Sequence, residues 1–301
     1  MMSKKVILVT GSSSGMGVNM VNTLAAQGHR LYAGMREIDG RNAGAKERML
    51  EQAGLAGHDI RVLPLDVLDQ QSVDSAIAGI VAENGRIDVL INNAGLLYMG
   101  VTEAFTVDQV RDQMETNFIA PLRMYRAVLP QMHRQKDGLI INTSSVAGRL
   151  AFPFMGAYCA SKYALEAMVE TLRYELSASG IDSIMIEPGP FNTGIVGKTV
   201  REQDTSRLAA YGELAAVPEA MMQSFSEFMA TSPESEPQRI ADAVARLVAL
   251  PYGQRPLRTV LGADYGVREL NESSAPVQAT ALQAMEFGHL DPNQVQQSHV
   301  A

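Results

Sequence analysis

The chain has 301 residues and a formal net charge of −8. That length carries one large domain or two, and the acidic balance argues against nucleic acid or an anionic membrane surface as natural partner. The 46% apolar content is enough for a core, and no apolar run reaches a membrane span. A single cysteine, Cys159, excludes an internal disulfide, fits a reducing cytoplasm, and reads as a small buried hydrophobe.

The basic start, Met1–Lys5, runs into an apolar stretch that stops at Thr10–Gly11, which is a strand and not a signal peptide. Val6–Thr10 is the first strand. Met16–Gln27 is a helix closed by Gly28, Arg30–Gly34 a strand, Arg41–Gln52 a polar helix, Ile60–Leu65 a strand and Ser72–Ala82 a helix. Ile87–Ile91 is apolar without alternation, as buried parallel strands are. Val107–Met132 holds one or two helices with a bend at Pro121. A strand at Leu139–Thr143 is followed by an apolar helix from Ala157 through Tyr163, Leu165, Val169 and Leu172 to Leu176. Ile181–Glu187 is a strand, Pro237–Leu250 a helix and Leu257–Leu261 a last strand.

This alternation predicts an α/β fold, a doubly wound parallel sheet of Rossmann type, in one domain over residues 1–262. Ligands in such sheets bind at the carboxyl ends of the strands. Residues from about 194 to 236 form a long substrate lid, and 263–301 a C-terminal extension that caps the pocket or an oligomer face.

Two stretches carry chemistry. Thr10–Gly11–Ser12–Ser13–Ser14–Gly15–Met16–Gly17 joins the first strand to the first helix. Its glycines let the backbone approach an anion, and the helix N-terminus offers N–H groups and a positive dipole end. On the later helix, Tyr158 and Lys162 stand four residues apart and so share a face. An ammonium beside a phenol favours phenolate, which would bring a tyrosine with reference pKa of about 10 towards neutrality. The five histidines show no metal-ligand spacing, so no metal is expected, and Gly-x-Ser-x-Gly is absent.

With Asn92–Asn93–Ala94–Gly95 at the fourth strand end and Pro188–Gly189 with Thr193 after the sixth, these stretches resemble the short-chain dehydrogenase/reductase family. The resemblance covers about Lys4 to Gly262. It implies Tyr158 as general acid/base, Ser145 as the hydroxyl that holds the carbonyl oxygen, and Lys162 as partner of both phenol and nicotinamide ribose. It further implies Asn117 as the helix residue behind Lys162 that joins a proton relay, with Ser144 a loop-stabilising neighbour. The implied coenzyme contacts are Gly11, Ser13, Ser14, Gly15, Met16, Gly17, Asp66, Val67, Asn93, Ala94, Gly95, Pro188, Gly189, Phe191 and Thr193. Asn92 reads instead as a tie between strands. A homodimer or homotetramer is implied as well.

Charge speaks to the choice of coenzyme. The end of the second strand carries Met35 and then Arg36, where an acidic residue would bind a ribose 2′-hydroxyl. A guanidinium there pairs with a 2′-phosphate, so NADP(H) is expected over NAD(H), with Glu37 as the opposing signal. The lid's Leu208, Tyr211, Met221, Met222, Phe225, Phe228 and Met229 suggest an apolar, adaptable pocket for a hydrophobic ketone or secondary alcohol. Two readings compete with such an oxidoreductase. A non-catalytic coenzyme-binding sensor would lack Tyr158, Lys162 or Ser145, and a sugar-nucleotide epimerase would carry a larger C-terminal domain.

Overall fold

The computed structural model describes residues 4–291. Residues 1–3 of the expected basic start, and the end of the extension with His299, lie outside the described residues. Seven apolar runs form strands: β1 (Val6–Thr10), β2 (Arg30–Met35), β3 (Ile60–Pro64), β4 (Val89–Asn92), β5 (Gly138–Thr143), β6 (Ile181–Pro188) and β7 (Arg258–Leu261). They pair in parallel in the order β3-β2-β1-β4-β5-β6-β7. Every residue of β1, β4, β5 and β6 is buried, which is why these runs do not alternate.

The helices are α1 (Met16–Ala26), α2 (Ala43–Ala56), α3 (Gln70–Asn84), α4 (Val107–Met114), α5 (Ala120–Gln135), α6 (Gly156–Glu175), α7 (Val217–Thr231), α8 (Gln238–Ala249) and α9 (Val267–Ala284). One core lies where α1, α2 and α8 pack on the sheet, through Met20, Leu24, Met49, Ile240 and Val244. The other lies beneath α3 and α5, through Ile77, Ile80, Met124 and Val128. Both faces are thus covered, as parallel strands require.

The chain runs outward from β1 to β3, then returns to β4 on the other side of β1. This reversal opens a crevice beyond the carboxyl ends of β1 and β4. Side chains hold those ends level. Thr10 Oγ1 accepts from the N–H groups of Asn93 (2.9 Å) and Ala94 (3.1 Å), while Asn93 Nδ2 donates to the Thr10 carbonyl at 2.9 Å. Asn92 Nδ2 donates to Asn142 Oδ1 and Asn142 Nδ2 to the Ile184 carbonyl, each at 3.0 Å, so amides tie β4, β5 and β6 together.

Most boundaries shift by one or two residues from the expectation, and two departures have clear local reasons. Helix α2 starts at Ala43 and continues past Gln52 to Ala56, because the left-handed residue that ends it is Gly57 (φ 68°). The expected bend at Pro121 is a π-turn over Glu115–Ile119, ahead of the proline. Pro121 occupies the first turn of α5, where its missing N–H costs no hydrogen bond.

The β1–α1 turn depends on glycine in two ways. Gly11 has φ +67°, and a Cβ there would meet Ala94 Cα at 2.9 Å; a Cβ on Gly17 would stand 2.5 Å from the Gly11 carbonyl oxygen. Gly17→Ala should therefore lose ~1–3 kcal/mol of stability by overpacking, read in urea unfolding. An unchanged midpoint would show that the turn can yield.

Candidate active site

The site is built at this carboxyl edge. Helix α6 presents Tyr158 and Lys162 from successive turns, with 8% and 5% of their surface exposed. Tyr163, read as part of the buried stripe, is instead 43% exposed and donates its hydroxyl to the Arg149 carbonyl at 2.6 Å. Lys162 Nζ donates to the Thr143 carbonyl, at the end of β5, at 2.7 Å, and lies 5.8 Å from the Tyr158 ring centroid. Burial pulls the Lys162 ammonium down to about 8, against the opposing pull of Glu166.

Tyr158 departs from the expectation of an acidified phenol. Burial pushes it up to about 12, and what opposes burial is a hydrogen bond with Ser145. Lys162 Nζ donates to the Thr143 carbonyl rather than to the phenol, and desolvation of the phenolate prevails. Ser145 has extended backbone, and its Oγ accepts from the Ala147 N–H at 3.1 Å, which caps the short turn Val146–Gly148. Ser144 turns the other way, towards Glu166.

Asn117 lies in the π-turn, whose extra residue directs its amide inward. Its Oδ1 accepts from the Leu96 N–H at 2.9 Å, and its Nδ2 donates to the Leu96 carbonyl and to Ser161 Oγ, both at 3.0 Å. A Cβ on Gly95 would lie 3.3 Å from Asn117 Oδ1 and 3.9 Å from Lys162 Nζ, so both side chains approach the same glycine.

An open cavity lies over these groups. Ser145, Tyr158 and Lys162 share its wall with Met16, Asn93, Gly95, Pro188, Gly189, Phe191 and Thr193. Its apolar side is Leu97, Phe152, Met155, Phe225 and Met229. Of the lid residues singled out from sequence, Phe225 and Met229 line the cavity, Met221 and Met222 pack behind them, and Phe228 faces outward. Tyr211 is at the surface, donating its hydroxyl to Glu103 Oε2 at 2.9 Å, and Leu208 does not line the cavity. Cys159 is buried among these apolar side chains.

The remaining coenzyme candidates lie along the crevice. No side chain caps the N-terminus of α1, so the turn of Gly11, Ser13, Ser14, Gly15 and Gly17 leaves N–H groups for an anion. Arg36 is exposed at the end of β2, and among the described residues no carboxylate pairs with it, while Glu37 pairs with Arg41 at 3.3 Å. Asp66 Oδ1 accepts from the Leu68 N–H at 3.0 Å, fixing the loop after β3. Val67, Ala94 and Thr10 line a smaller cleft of about 160 Å³ beside it.

Two residues at the site went unread in the sequence. Tyr265, just past β7, lines the cavity and packs edge-on against Phe152 with centroids 5.7 Å apart. Lys198, in the lid, donates to Ser14 Oγ at 2.7 Å across the phosphate turn. A strand followed by an aromatic was the available signal for the first; the second had none, being 184 residues from its partner.

The family model for short chain dehydrogenase matches residues 5–204. The chain belongs to the short-chain dehydrogenase family. A 3-ketodihydrosphingosine reductase of Bacteroides thetaiotaomicron is 34% identical over 266 residues, covering 87% of this chain and 89% of the relative. The 17-beta-hydroxysteroid dehydrogenase type 1 of Homo sapiens is 36% identical over 202 residues, covering 66% of this chain and 60% of the relative. Among solved structures, a short-chain dehydrogenase from Streptomyces avermitilis has a TM-score of 0.74 at 29% identity, covering 95% of this chain and 99% of that one. An alcohol dehydrogenase from Thermococcus sibiricus complexed with 5-hydroxy-NADP has a TM-score of 0.68 at 25% identity, covering 87% and 98%. This short-chain dehydrogenase is accordingly an oxidoreductase acting on CH–OH donors. Among its described residues no helix is long and apolar enough to cross a membrane.

The buried Lys162 makes stability depend on pH with a defined sign. Its folded value of about 8 lies below the unfolded 10.5, so between those values the unfolded chain binds more protons and stability rises with pH. Lys162→Met should remove that rise and stabilise the protein at neutral pH, as measured by urea unfolding across the window. A rise that persists in the variant would assign it elsewhere.

Proposed function

We propose that this short-chain dehydrogenase is an NADP(H)-dependent reductase of a hydrophobic ketone or aldehyde, running in reverse as a secondary-alcohol dehydrogenase. The observation that carries the reading is the convergence of Ser145, Tyr158 and Lys162 on one wall of an apolar cavity at the strand ends. The residues fit a dinucleotide. The uncapped α1 turn suits the pyrophosphate, and Asp66 and Val67 suit the adenine. Asn93–Gly95, Pro188–Gly189, Phe191 and Thr193 suit the ribose and nicotinamide side. Arg36, with Lys198 beside Ser14, favours a 2′-phosphate, and the NADP analogue in the Thermococcus sibiricus relative supports this choice.

When bound, the nicotinamide supplies or takes the hydride. The protein's part is proton transfer and polarisation. Tyr158, held protonated at neutral pH by burial, is in the form that gives a proton to a carbonyl oxygen. Ser145 donates a hydrogen bond to the same oxygen as charge develops on it. Lys162 holds its positive charge behind the phenol and turns its remaining donors towards the ribose. Asn117 keeps the backbone of Leu96 and the hydroxyl of Ser161 in place on its far side.

The cavity lining narrows the substrate. Among the described residues Lys162 is the one charged side chain lining it, so a ketone bearing an ammonium finds no counter-ion among them. A neutral, largely apolar ketone is favoured over a sphingoid base of the kind that the Bacteroides relative's name denotes. A reducing cytoplasmic setting agrees with the single buried cysteine. A homodimer or homotetramer agrees with exposed Leu122 on α5 and Tyr163 on α6, and light scattering tests it. By length we divide the chain into a coenzyme-binding and catalytic domain over 1–262, a lid near 194–236 and an extension beyond.

Tyr158→Phe should lower turnover of hydrophobic ketones at least ~100-fold while NADPH fluorescence still reports binding. Near-normal turnover would remove Tyr158 from the acid/base role, and an absence of NADPH binding in the wild type would sink the coenzyme reading. Arg36→Asp should shift the ratio of Kd values towards NADH by at least ~10-fold, the loss of one charge-assisted pair. An unchanged ratio would take Arg36 out of the discrimination.

A further inference from the structure

Behind Lys162 lies a buried polar cluster that the proposed chemistry does not use. Glu166, one turn further along α6, and Glu187, near the end of β6, are 3% and 0% exposed. Arg258, on β7, reaches both: its Nε lies 2.9 Å from Glu166 Oε2 and 3.5 Å from Glu187 Oε1. Its Nη2 is committed to Glu170 Oε2 at 2.6 Å, and Glu170 Oε1 accepts from the Tyr174 hydroxyl. From α9, Asn271 Nδ2 donates to Glu187 Oε2 at 2.7 Å. Arg149, after β5, faces the cluster but donates to Asn271 Oδ1 and Ser274 Oγ rather than to a carboxylate.

The donors do not match the acceptors. Three carboxyls surround one guanidinium, and among the described residues Glu166 Oε1 and Glu187 Oε1 are buried without a hydrogen-bond partner. The hydroxyl of Ser144 faces Glu166 and supplies one donor for two oxygens. Leaving a buried carboxylate oxygen unsatisfied is costly, and two like charges sharing a site raise the affinity of one for a proton. One added proton supplies the missing donor and removes the surplus charge.

We propose that Glu166 and Glu187 hold one proton between them and act as positioning residues. The single negative charge that the pair retains holds Lys162 as an ammonium, and its hydrogen bonds join the Ser144–Ser145 loop, α6 and α9. Glu166 carries that charge, since it has the shorter contact with Arg258 and is the group whose field keeps Lys162 protonated. Burial raises both carboxyls, Glu187 to about 8 with Glu166 beside it, and the proton rests on Glu187 because its contact with Arg258 is the longer of the two. Because Asn271 is bound to Glu187, the C-terminal helix is anchored to the same cluster that governs the charge at the active site.

Two arms test this, and one does not depend on the proposed reaction. The folded protein binds the shared proton more tightly than the unfolded chain, so stability should fall as pH rises from about 5 to about 8. In Glu187→Gln, the neutral mimic, that fall should be flattened in urea unfolding of the coenzyme-free protein. Infrared difference spectra of the wild type should show a protonated-carboxyl band that is lost near pH 8 and missing from the variant. A wild type without the band, or a Glu187→Gln protein whose stability falls just as steeply, would overturn the shared proton. The second arm rests on the function proposed above. Glu166→Gln should move the alkaline limb of the pH profile for kcat down by about one unit, a ~10-fold loss above it, with KM for the ketone unchanged and Glu166→Asp restoring the limb. An unmoved limb would show that Glu166 does not act on Lys162. Turnover lost at every pH in the wild type would instead count against the proposed function and leave the first arm intact.

Discussion

A cation buried at the carboxyl edge of the sheet is the constraint around which this molecule is arranged. Lys162 is taken out of water, which works against its charge, and the fold answers with a carbonyl at the end of β5 and a carboxylate one helical turn away. Its ammonium can only be held there if α6 lies close against β5 and β6. Gly148, in the turn after β5, lets the chain approach α6, since a Cβ there would stand 2.9 Å from Glu166 Cγ, and the small, buried Ser161 leaves room for the Asn117 amide. The π-turn bearing Asn117 completes the enclosure from the other side, through Ser161 and Leu96.

Burial has opposite consequences for the two partners. It draws Lys162 towards its neutral form and Tyr158 further into its neutral form, since each loses hydration of its charged state. The phenol is thereby kept as a proton donor, which suits reduction. The hydroxyl of Ser145 is the one group that opposes this for Tyr158, and it is also the group placed to hold a reacting oxygen. On the proposed reading, a proton donor and an oxygen-binding hydroxyl share one wall of a cavity lined by Phe, Met and Leu, an arrangement suited to polarising a carbonyl.

The parts of the site readable from the chain were those whose residues lie within one segment. Gly11, Gly15 and Gly17 fall on one turn, and Tyr158 and Lys162 on one helix face, so spacing alone reports their geometry. Tyr265 lies beyond the last strand and meets Phe152 only because β7 pairs with β6. The Glu166–Glu187–Arg258–Asn271 cluster draws on α6, β6, β7 and α9, four segments with no common period. The acidified phenol failed as an expectation for a related reason: four-residue spacing shows that two side chains are neighbours, but not that the ammonium has a better acceptor in Thr143.

By itself, the amino-acid sequence determined the alternation of strands and helices, the glycine turn, the tyrosine–lysine pair and the absence of an acidic residue at Met35. Each is a local property set by periodicity, backbone freedom or charge along the chain. Tertiary structure alone decided which lid side chains face the cavity and which carboxyls are buried together. Those are matters of solvent exclusion and of contacts between distant segments, and they exist only once the sheet has brought its carboxyl ends to one edge.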